Sequence, residues 1–302
     1  MRKPAAQVVV HADDIGMCHG ANAAFLELSQ LGICTAGSVM VPCPWFLETA
    51  ELAEEHPELD IGVHLTLNAE KRHYRWRPLT APGQSAGLTD GDGYFWRTVD
   101  ELRRHARPEA VEAELIAQIE AALAAGIDVT HLDAHMGGAT LVPEFVGIYL
   151  KLAETYRVPA LVTHSSAAYD SRHNLGEIDA EAFERAGAFG RERGWPVFDQ
   201  VLETPWERGE DSRAAYGKLF DRVEGGLVFL ALHFNAPGEI ESIEPATAHI
   251  RTQEYEVFRS EAFSRSLADR GWKLTGLKPY RDALRPLSMP SPRREEHESG
   301  NS

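Results

Sequence analysis

The sequence alternates short apolar runs of β-forming residues with longer amphipathic segments. Alternation of strand and helix is typical of parallel sheets, and a chain of 302 residues has room for about six to eight such units. The pattern predicts an α/β fold, a (βα) barrel of the TIM-barrel kind that is distorted or incomplete. An open, doubly wound sheet is the alternative. The runs predicted as strands are Gln7–Val10, Ser38–Val41, Ile61–Leu65, Val129–Leu132, Ala160–Val162, Leu227–Leu232 and Lys273–Leu277.

The clearest helix is predicted over residues 108–125, where Gly126 supplies a C-terminal cap. Apolar side chains recur there with helical spacing, so one face should cover a sheet while glutamates face solvent. The residues on the apolar face are Val111, Leu115, Ile119, Ala122 and Leu123.

Two segments interrupt the alternation, residues 68–98 and 167–209. The first is rich in Gly, Pro, Arg and aromatic residues, and the second has helical pattern without a clear strand order. Both suit loops inserted over the C-terminal rim of a barrel, where active sites gather. We expect one catalytic domain over residues 1–285 and a disordered tail over 286–302, whose composition is mainly Pro, Ser, Arg and Glu.

The net charge of −16 has the wrong sign for neutralising phosphates, which excludes nucleic acid as an expected partner. The sequence has no apolar run long enough for a membrane span, and its first residues lack a secretory signature. The cysteines Cys18, Cys34 and Cys43 are odd in number and show no CxxC spacing. We therefore expect a reducing, cytoplasmic location.

Polar residues follow the first predicted strand, in the segment His11-Ala12-Asp13-Asp14-Ile15-Gly16. Charged side chains at the C-terminal end of a barrel strand lie on the rim that carries the active site. Asp13 and Asp14 are therefore candidates for chemistry. The alternative is a solvated turn in which an aspartate caps the next helix.

Histidines mark two further strands. His64 lies inside the apolar run Ile61–Leu65, where a lone buried histidine is commonly structural rather than a metal ligand. His131, Asp133 and His135 share one side of a strand by alternation, a pattern that packing explains poorly. A polar rim without a metal remains the alternative for this group.

His233 follows the predicted strand Leu227–Leu232 in the same way. The four strand ends meet at one rim only if the sheet curls or closes. One Asp with two His is a common metal donor set that leaves room for water and substrate. Asp13 is then the candidate general base and His233 the candidate acid on the far side of the substrate, while Asp133 can orient His131 or another rim histidine.

With these residues in view, the sequence resembles the YdjC-like carbohydrate deacetylases, which include chitooligosaccharide deacetylases and hopanoid-biosynthesis-associated deacetylases. Three motifs match in order and spacing, and the resemblance extends over roughly residues 7–282, ending with Gly276-Leu277-Lys278-Pro279-Tyr280. The matching motifs are Ala12-Asp13-Asp14-Ile15-Gly16, Gly62-Val63-His64-Leu65 and Thr130-His131-Leu132-Asp133-Ala134-His135.

The resemblance implies a (βα) barrel that hydrolyses the N-acetyl group of an amino sugar, oligosaccharide or glycolipid headgroup with a divalent metal, magnesium or zinc. It implies Asp14, His64 and His135 as the metal ligands, Asp13 as the base and His233 as the acid. Relatives of this fold also lead us to expect a homodimer. The chain departs from the family at His11, where Asn is common, and at Met136-Gly137-Gly138, where further histidines are common. Neither departure removes a ligand, but both alter the walls of the site.

Two other functions remain open. The first is metal-dependent hydrolysis of another amide or ester, or the chemistry of the distinct polysaccharide deacetylases. That family typically takes both histidines from one short HxxxH segment, whereas His64 and His135 lie far apart in the sequence. The second is a carbohydrate-binding protein without turnover, which has little need for a base and an acid.

Overall fold

The computed structural model describes residues 6–140, 142–169, 179–207 and 211–285. The predicted tail over residues 286–302 lies outside this part of the chain. The strands are β1 (Ala6–Ile15), β2 (Ala36–Val39), β3 (Ile61–Leu65), β4 (Leu132–Ala134), β5 (Val162–Thr163), β6 (Val197–Phe198), β7 (Gln200–Glu203), β8 (Gly226–Leu232) and β9 (Lys273–Leu274).

Helices separate most of the strands, with short 3-10 helices at Gln84–Ala86, His135–Gly137 and Ser166–Ala168. None of the helices in the described residues combines the length and apolar composition that crossing a bilayer requires. The α-helices are α1 (His19–Gln30), α2 (Phe46–Glu55), α3 (Val99–His105), α4 (Pro108–Ala124), α5 (Pro143–Tyr156), α6 (Ala180–Glu192), α7 (Ser212–Asp221), α8 (Ile240–Ile243), α9 (Ala248–Phe258), α10 (Glu261–Asp269) and α11 (Lys278–Leu284).

Local sequence explains where several helices begin. Side-chain oxygens at the N-caps of α3, α6, α7 and α10 each accept a hydrogen bond from the backbone N–H three residues further on, which satisfies one of the free amides of the first turn. Proline, whose missing N–H costs nothing at this position, begins α4 and α5. The cap residues are Thr98, Asp179, Asp211 and Ser260.

The strands are all parallel and form a curled sheet in the order β4-β3-β2-β1-β8-β7, with β9 paired to β1. A small sheet of β5 and β6 lies beside it. Single parallel bridges, Leu132↔Ala160 and Tyr169↔Val201, connect the chain on either side of β5 to β4 and β7, the edge strands of the large sheet. The result is the predicted distorted (βα) barrel. It contradicts the open-sheet alternative, in which the strand order reverses at a switch point.

Each predicted apolar run overlaps a strand, and β3 has the predicted bounds. The first strand was predicted too short, because β1 continues from His11 to Ile15, paired with β8 as far as Ala12 and with β2 as far as Ile15. The prediction of no strand order in residues 167–209 is wrong, since β6 and β7 lie there. Residues 170–178 and 208–210 of that segment lie outside the described part of the chain.

The predicted face of α4 is buried, with Val111, Leu115 and Ile119 fully covered, and Gly126 follows the helix with φ +91°. The same helix also buries Glu114, which accepts hydrogen bonds from the backbone N–H groups of Leu79 and Thr80. These contacts fix the inserted loop of residues 68–98 against the barrel. The loop can therefore hold side chains at the rim in a defined place.

Gly62 permits a close approach inside the barrel that any larger residue would prevent. A Cβ at this position would lie 2.6 Å from both the ring and the carbonyl oxygen of His131. We expect Gly62→Ala to destabilise the fold by about 1–3 kcal/mol, since backbone must move to relieve the overlap. Denaturant unfolding measures the change in the free energy of unfolding.

Gly147, in the exposed face of α5, is the matched control because a Cβ there meets no atom within 4 Å. Gly147→Ala should stabilise the helix by about 0.5–1 kcal/mol. Equal free energies of unfolding for the two variants would contradict the close-packing argument at Gly62.

Candidate active site

The end of β1 brings two consecutive carboxylates, Asp13 and Asp14, into the same pocket. Successive side chains of a regular strand point to opposite faces, so this arrangement needs a break in the strand. Asp14 has φ +61°, in the left-handed region, and the register between β1 and β2 shifts between Ala12 and Ile15. Aspartate tolerates this conformation better than most residues with a Cβ.

Asp14, His64 and His135 form a buried triad, with exposures of 2%, 3% and 4%. Asp14 Oδ1 lies 3.1 Å from His135 Nδ1 and 3.4 Å from His64 Nε2. The three predicted ligands come from β1, from β3 and from the 3-10 turn that follows β4. The fold therefore brings together the residues that the sequence motifs single out.

Each imidazole of the triad has a carboxylate against its other ring nitrogen. His64 Nδ1 lies 3.0 Å from Asp133 Oδ1, and His135 Nε2 lies 3.0 Å from Glu70 Oε2. A bound metal would take the place of the protons on His64 Nε2 and His135 Nδ1, which face Asp14, while the outer nitrogens keep their protons, the arrangement in which histidines bind metals. Asp133 thus has the predicted orienting position, against His64 rather than His131.

The electrostatics of the triad favour a cation. Burial would raise the pKa of Asp14, but Arg251 and the hydrogen bonds with His135 and His64 outweigh it and hold that pKa well below its usual range. Burial would lower the pKa of His64, yet the charge of Asp133 and contacts with Asp133 and Asp14 raise it well above its usual value. The carboxylates thus carry negative charge that attracts either protons or a metal ion.

The donor set fits a divalent metal. One carboxylate oxygen and two imidazole nitrogens lie within 4.8 Å of one another at Asp14, His64 and His135. Oxygen and imidazole ligands, each steadied by an outer hydrogen-bonding partner, are typical of catalytic zinc and related ions.

Four charged residues that were not predicted from the sequence also lie around the triad: Glu70, Lys71, Glu244 and Arg251. Arg251 Nη1 lies 2.8 Å from Asp14 Oδ2, and Arg251 Nε lies 3.0 Å from Glu244 Oε2. Lys71 Nζ bridges Glu70 Oε1 at 2.9 Å and Glu244 Oε2 at 2.6 Å. No motif marks these residues, because they reach the pocket from α9, from the segment after α8 and from the inserted loop.

The proposed base and acid face each other beside the triad. Asp13 Oδ2 lies 3.9 Å from His233 Nε2. The two side chains are therefore closer together than expected for a base and an acid on opposite sides of a substrate. Burial raises the pKa of Asp13 well above its ordinary value, with Asp133 and Asp14 adding to the effect and His64 opposing it. Burial also holds the pKa of His233 well below its ordinary value.

A chain of hydrogen bonds orients His233. Its Nδ1 lies 2.8 Å from the hydroxyl of Thr204, which in turn donates to the buried Glu254 at 2.9 Å. Glu254 also accepts hydrogen bonds from Tyr216 and from the backbone N–H of His233. Because the Thr204 proton goes to Glu254, the hydroxyl oxygen accepts from Nδ1–H, and His233 Nε2 keeps its lone pair toward Asp13.

Charged and apolar side chains both line the pocket above these groups. The charged ones are those of the triad, Asp13, Glu70, Lys71, Glu244 and Arg251. The apolar ones are Met136, Leu161, Phe183, Val201, Phe229 and Ala231. His11 and His131 do not line this pocket; they lie buried beneath it, with their Nε2 atoms 2.9 Å apart.

Glu70→Gln tests the outer partner of His135. We expect affinity for a divalent metal to fall about 10- to 100-fold, because the amide neutralises the charge that orients and polarises the imidazole. Titration of the metal-stripped protein measures this change. Glu203→Gln is the matched control, since Glu203 lines the same pocket from β7 and accepts a hydrogen bond from Trp206. Equal metal affinities of the two variants would show that Glu70 does not support the metal site.

Comparison with known proteins places the site in a family context. A Thermus thermophilus protein named carbohydrate deacetylase is 44% identical over 158 residues, which are 52% of this chain and 54% of that relative. A Brevibacillus brevis protein of the same name is 36% identical over 177 residues, 59% of this chain and 67% of the relative. The chain therefore aligns with only about half to two thirds of the length of these relatives.

A crystal structure supports the fold independently. An Enterococcus faecalis V583 protein, provisionally named a cellobiose-phosphate cleavage protein, superimposes with a TM-score of 0.74 and covers 91% of this chain and 98% of its own. Its sequence identity is 23%, so the likeness concerns the fold alone. The sequence profile of the YdjC-like protein family matches residues 7–269, most of the chain. The chain belongs to the YdjC-like family.

Proposed function

We propose that this chain is a metal-dependent carbohydrate deacetylase, which hydrolyses the N-acetyl group of an amino sugar and releases acetate. The observation that carries the proposal is the buried Asp14–His64–His135 triad with Asp13 and His233 beside it, 3.9 Å apart. The names of the Thermus and Brevibacillus relatives support the same substrate class.

Asp14, His64 and His135 are the proposed metal ligands. A divalent cation held there supplies Lewis acidity, which lowers the pKa of water and polarises a carbonyl. Of the two metals implied by the family resemblance, we propose zinc before magnesium, because imidazole nitrogens suit zinc whereas magnesium prefers oxygen ligands.

Asp13 is the proposed general base, acting through Oδ2, the carboxylate oxygen that faces His233. A carboxylate with a raised pKa accepts a proton more readily than an ordinary one, and burial gives Asp13 this property. It takes one proton from the water that attacks the acetyl carbonyl.

His233 is the proposed carrier of the proton that leaves with the amine. Its lowered pKa keeps the ring neutral before reaction, with the lone pair of Nε2 toward Asp13. Breaking the C–N bond requires one proton on nitrogen, and the proton that Asp13 took from water meets this need when it passes through Nε2. The reaction then balances as amide plus water giving acetate and amine, with the acetic acid proton released to solvent.

The lining of the pocket suits a sugar. Its charged side chains offer hydrogen-bonding partners for hydroxyl groups, while apolar side chains such as Val201 and Phe229 suit the C–H face of a pyranose ring.

Three buried free thiols, at Cys18, Cys34 and Cys43, support the proposal of a cytoplasmic location. Nucleic acid as a non-partner and a homodimeric state stay predictions.

Acetate release tests the proposal. The purified chain is stripped of metal, reloaded with zinc or magnesium, and incubated with N-acetylated sugars from monosaccharide to chitooligosaccharide and glycolipid headgroup. We expect release only after reloading. Metal binding without release from any sugar would favour hydrolysis of another amide or ester, and sugar binding without turnover of any substrate would favour a binding protein.

A further inference from the structure

Two buried histidines beneath the pocket have no part in the proposed chemistry. His11 lies in β1 and His131 just before β4, with exposures of 0% and 1%. Their Nε2 atoms are 2.9 Å apart, a hydrogen-bonding distance. Removing two imidazoles from water is costly unless their polar atoms find partners, so the pair needs an explanation.

The pair belongs to a longer chain of contacts that begins at the proposed base. His11 Nδ1 lies 2.6 Å from Asp13 Oδ1, and His131 Nδ1 lies 2.9 Å from the hydroxyl of Thr130. Burial lowers the pKa of both His11 and His131 to about 4, so each ring is neutral near pH 7 and carries one N–H.

One proton on each ring leaves a single arrangement around the carboxylate form of Asp13, the form in which it is proposed to act as the base. The carboxylate oxygen can only accept, so His11 must hold its proton on Nδ1 and donate to Asp13. His11 Nε2 then accepts from Nε2–H of His131, and Nδ1 of His131 accepts from the Thr130 hydroxyl. Every hydrogen in the chain points toward Asp13.

We infer that His11 is the positioning residue of Asp13, and that His131 acts through His11 by fixing its tautomer. The inference rests on the proposed role of Asp13 as the base. The hydrogen bond from His11 occupies Oδ1, which holds the carboxylate in one orientation and directs Oδ2 toward His233 and the pocket.

A second metal ion is the competing explanation, because ligand atoms of His11, His131 and Asp133 also lie within 4.8 Å of one another. The contacts favour hydrogen bonds. Asp133 Oδ2 accepts the hydroxyl of Ser38 at 2.9 Å and lies 3.9 Å from His11 Nε2, whereas the two imidazoles lie within hydrogen-bonding distance.

Substitutions at His11 test the positioning role by kinetics. In the zinc-loaded protein, His11→Leu, which keeps an apolar bulk without a donor, should lower kcat about 100-fold through misplacement of the base, with KM unchanged. His11→Asn should restore most of this loss, because its amide N–H can donate to Asp13. Equal kcat values for wild type and His11→Leu, or no rescue by asparagine in a folded protein, would overturn the inference.

A spectroscopic measurement tests the chain of hydrogen bonds from Thr130 to Asp13 and requires neither turnover nor mutation. Long-range ¹H–¹⁵N spectra of the zinc-loaded wild-type protein should show His11 protonated at Nδ1 and His131 at Nε2. The opposite tautomers, or a second bound zinc that removes the proton from His131 Nε2, would overturn the inference. If the wild type releases no acetate from any sugar, the proposed function fails. The observed tautomers would still show whether the hydrogen bonds run from His131 through His11 to Asp13.

Discussion

Replacing His64 or His135 by alanine is expected to lower affinity for a divalent metal by more than about 100-fold, since losing an outer partner alone costs about 10- to 100-fold. Both imidazoles turn one nitrogen toward Asp14, at 3.4 Å for His64 Nε2 and 3.1 Å for His135 Nδ1 from its Oδ1. Elemental analysis of the purified variants, followed by metal titration, measures the loss. Acetate release should disappear with the metal.

His131→Ala is the matched control for these variants. His131 is as buried as the triad histidines, but its Nε2 lies against His11 rather than Asp14. We therefore expect its metal content to stay close to that of the wild type even where its activity falls. Equal metal losses in all three variants would show that the triad has been assigned to the wrong histidines.

Among the strands predicted from the sequence, β3 has the right bounds. Each residue of β3 is buried, so its apolar run has sharp ends and the predicted bounds are right. β1 extends beyond its predicted end because the interior of the barrel becomes polar near the rim, where His11 and Asp14 stay buried within the strand. β6 has only two residues, too few for a periodicity of two to be visible.

The sequence pattern marks some residues of the site and not others. Asp14, His64 and His135 could be singled out because each follows or interrupts an apolar run. Glu70 and Arg251 could not, because a carboxylate in a loop and an arginine on a helix look like ordinary surface residues until the fold buries them. The convergence of Asp13 and Asp14 likewise depends on a left-handed backbone at Asp14 that the sequence does not specify.

Asp13→Asn is expected to lower kcat about 100- to 10,000-fold, the range typical for loss of a general base. The amide cannot take the proton from water, but it has nearly the same shape, and its oxygen can still accept the hydrogen bond from His11 Nδ1. Because Asp13 lies outside the triad, the metal content should remain that of the wild type. The measurement is acetate release at saturating substrate, with metal analysis of the same preparation.

Measuring acetate release and metal content on the same preparation distinguishes a catalyst from a binding protein. In a deacetylase, the Asp13→Asn protein retains metal and sugar and loses turnover, whereas in a binding protein neither wild type nor variant releases acetate. Substantial acetate release by a metal-loaded variant would instead assign the base to another group of the pocket. His233, whose Nε2 faces Asp13 Oδ2 at 3.9 Å, would be the first to examine, because it carries a free lone pair in the same pocket.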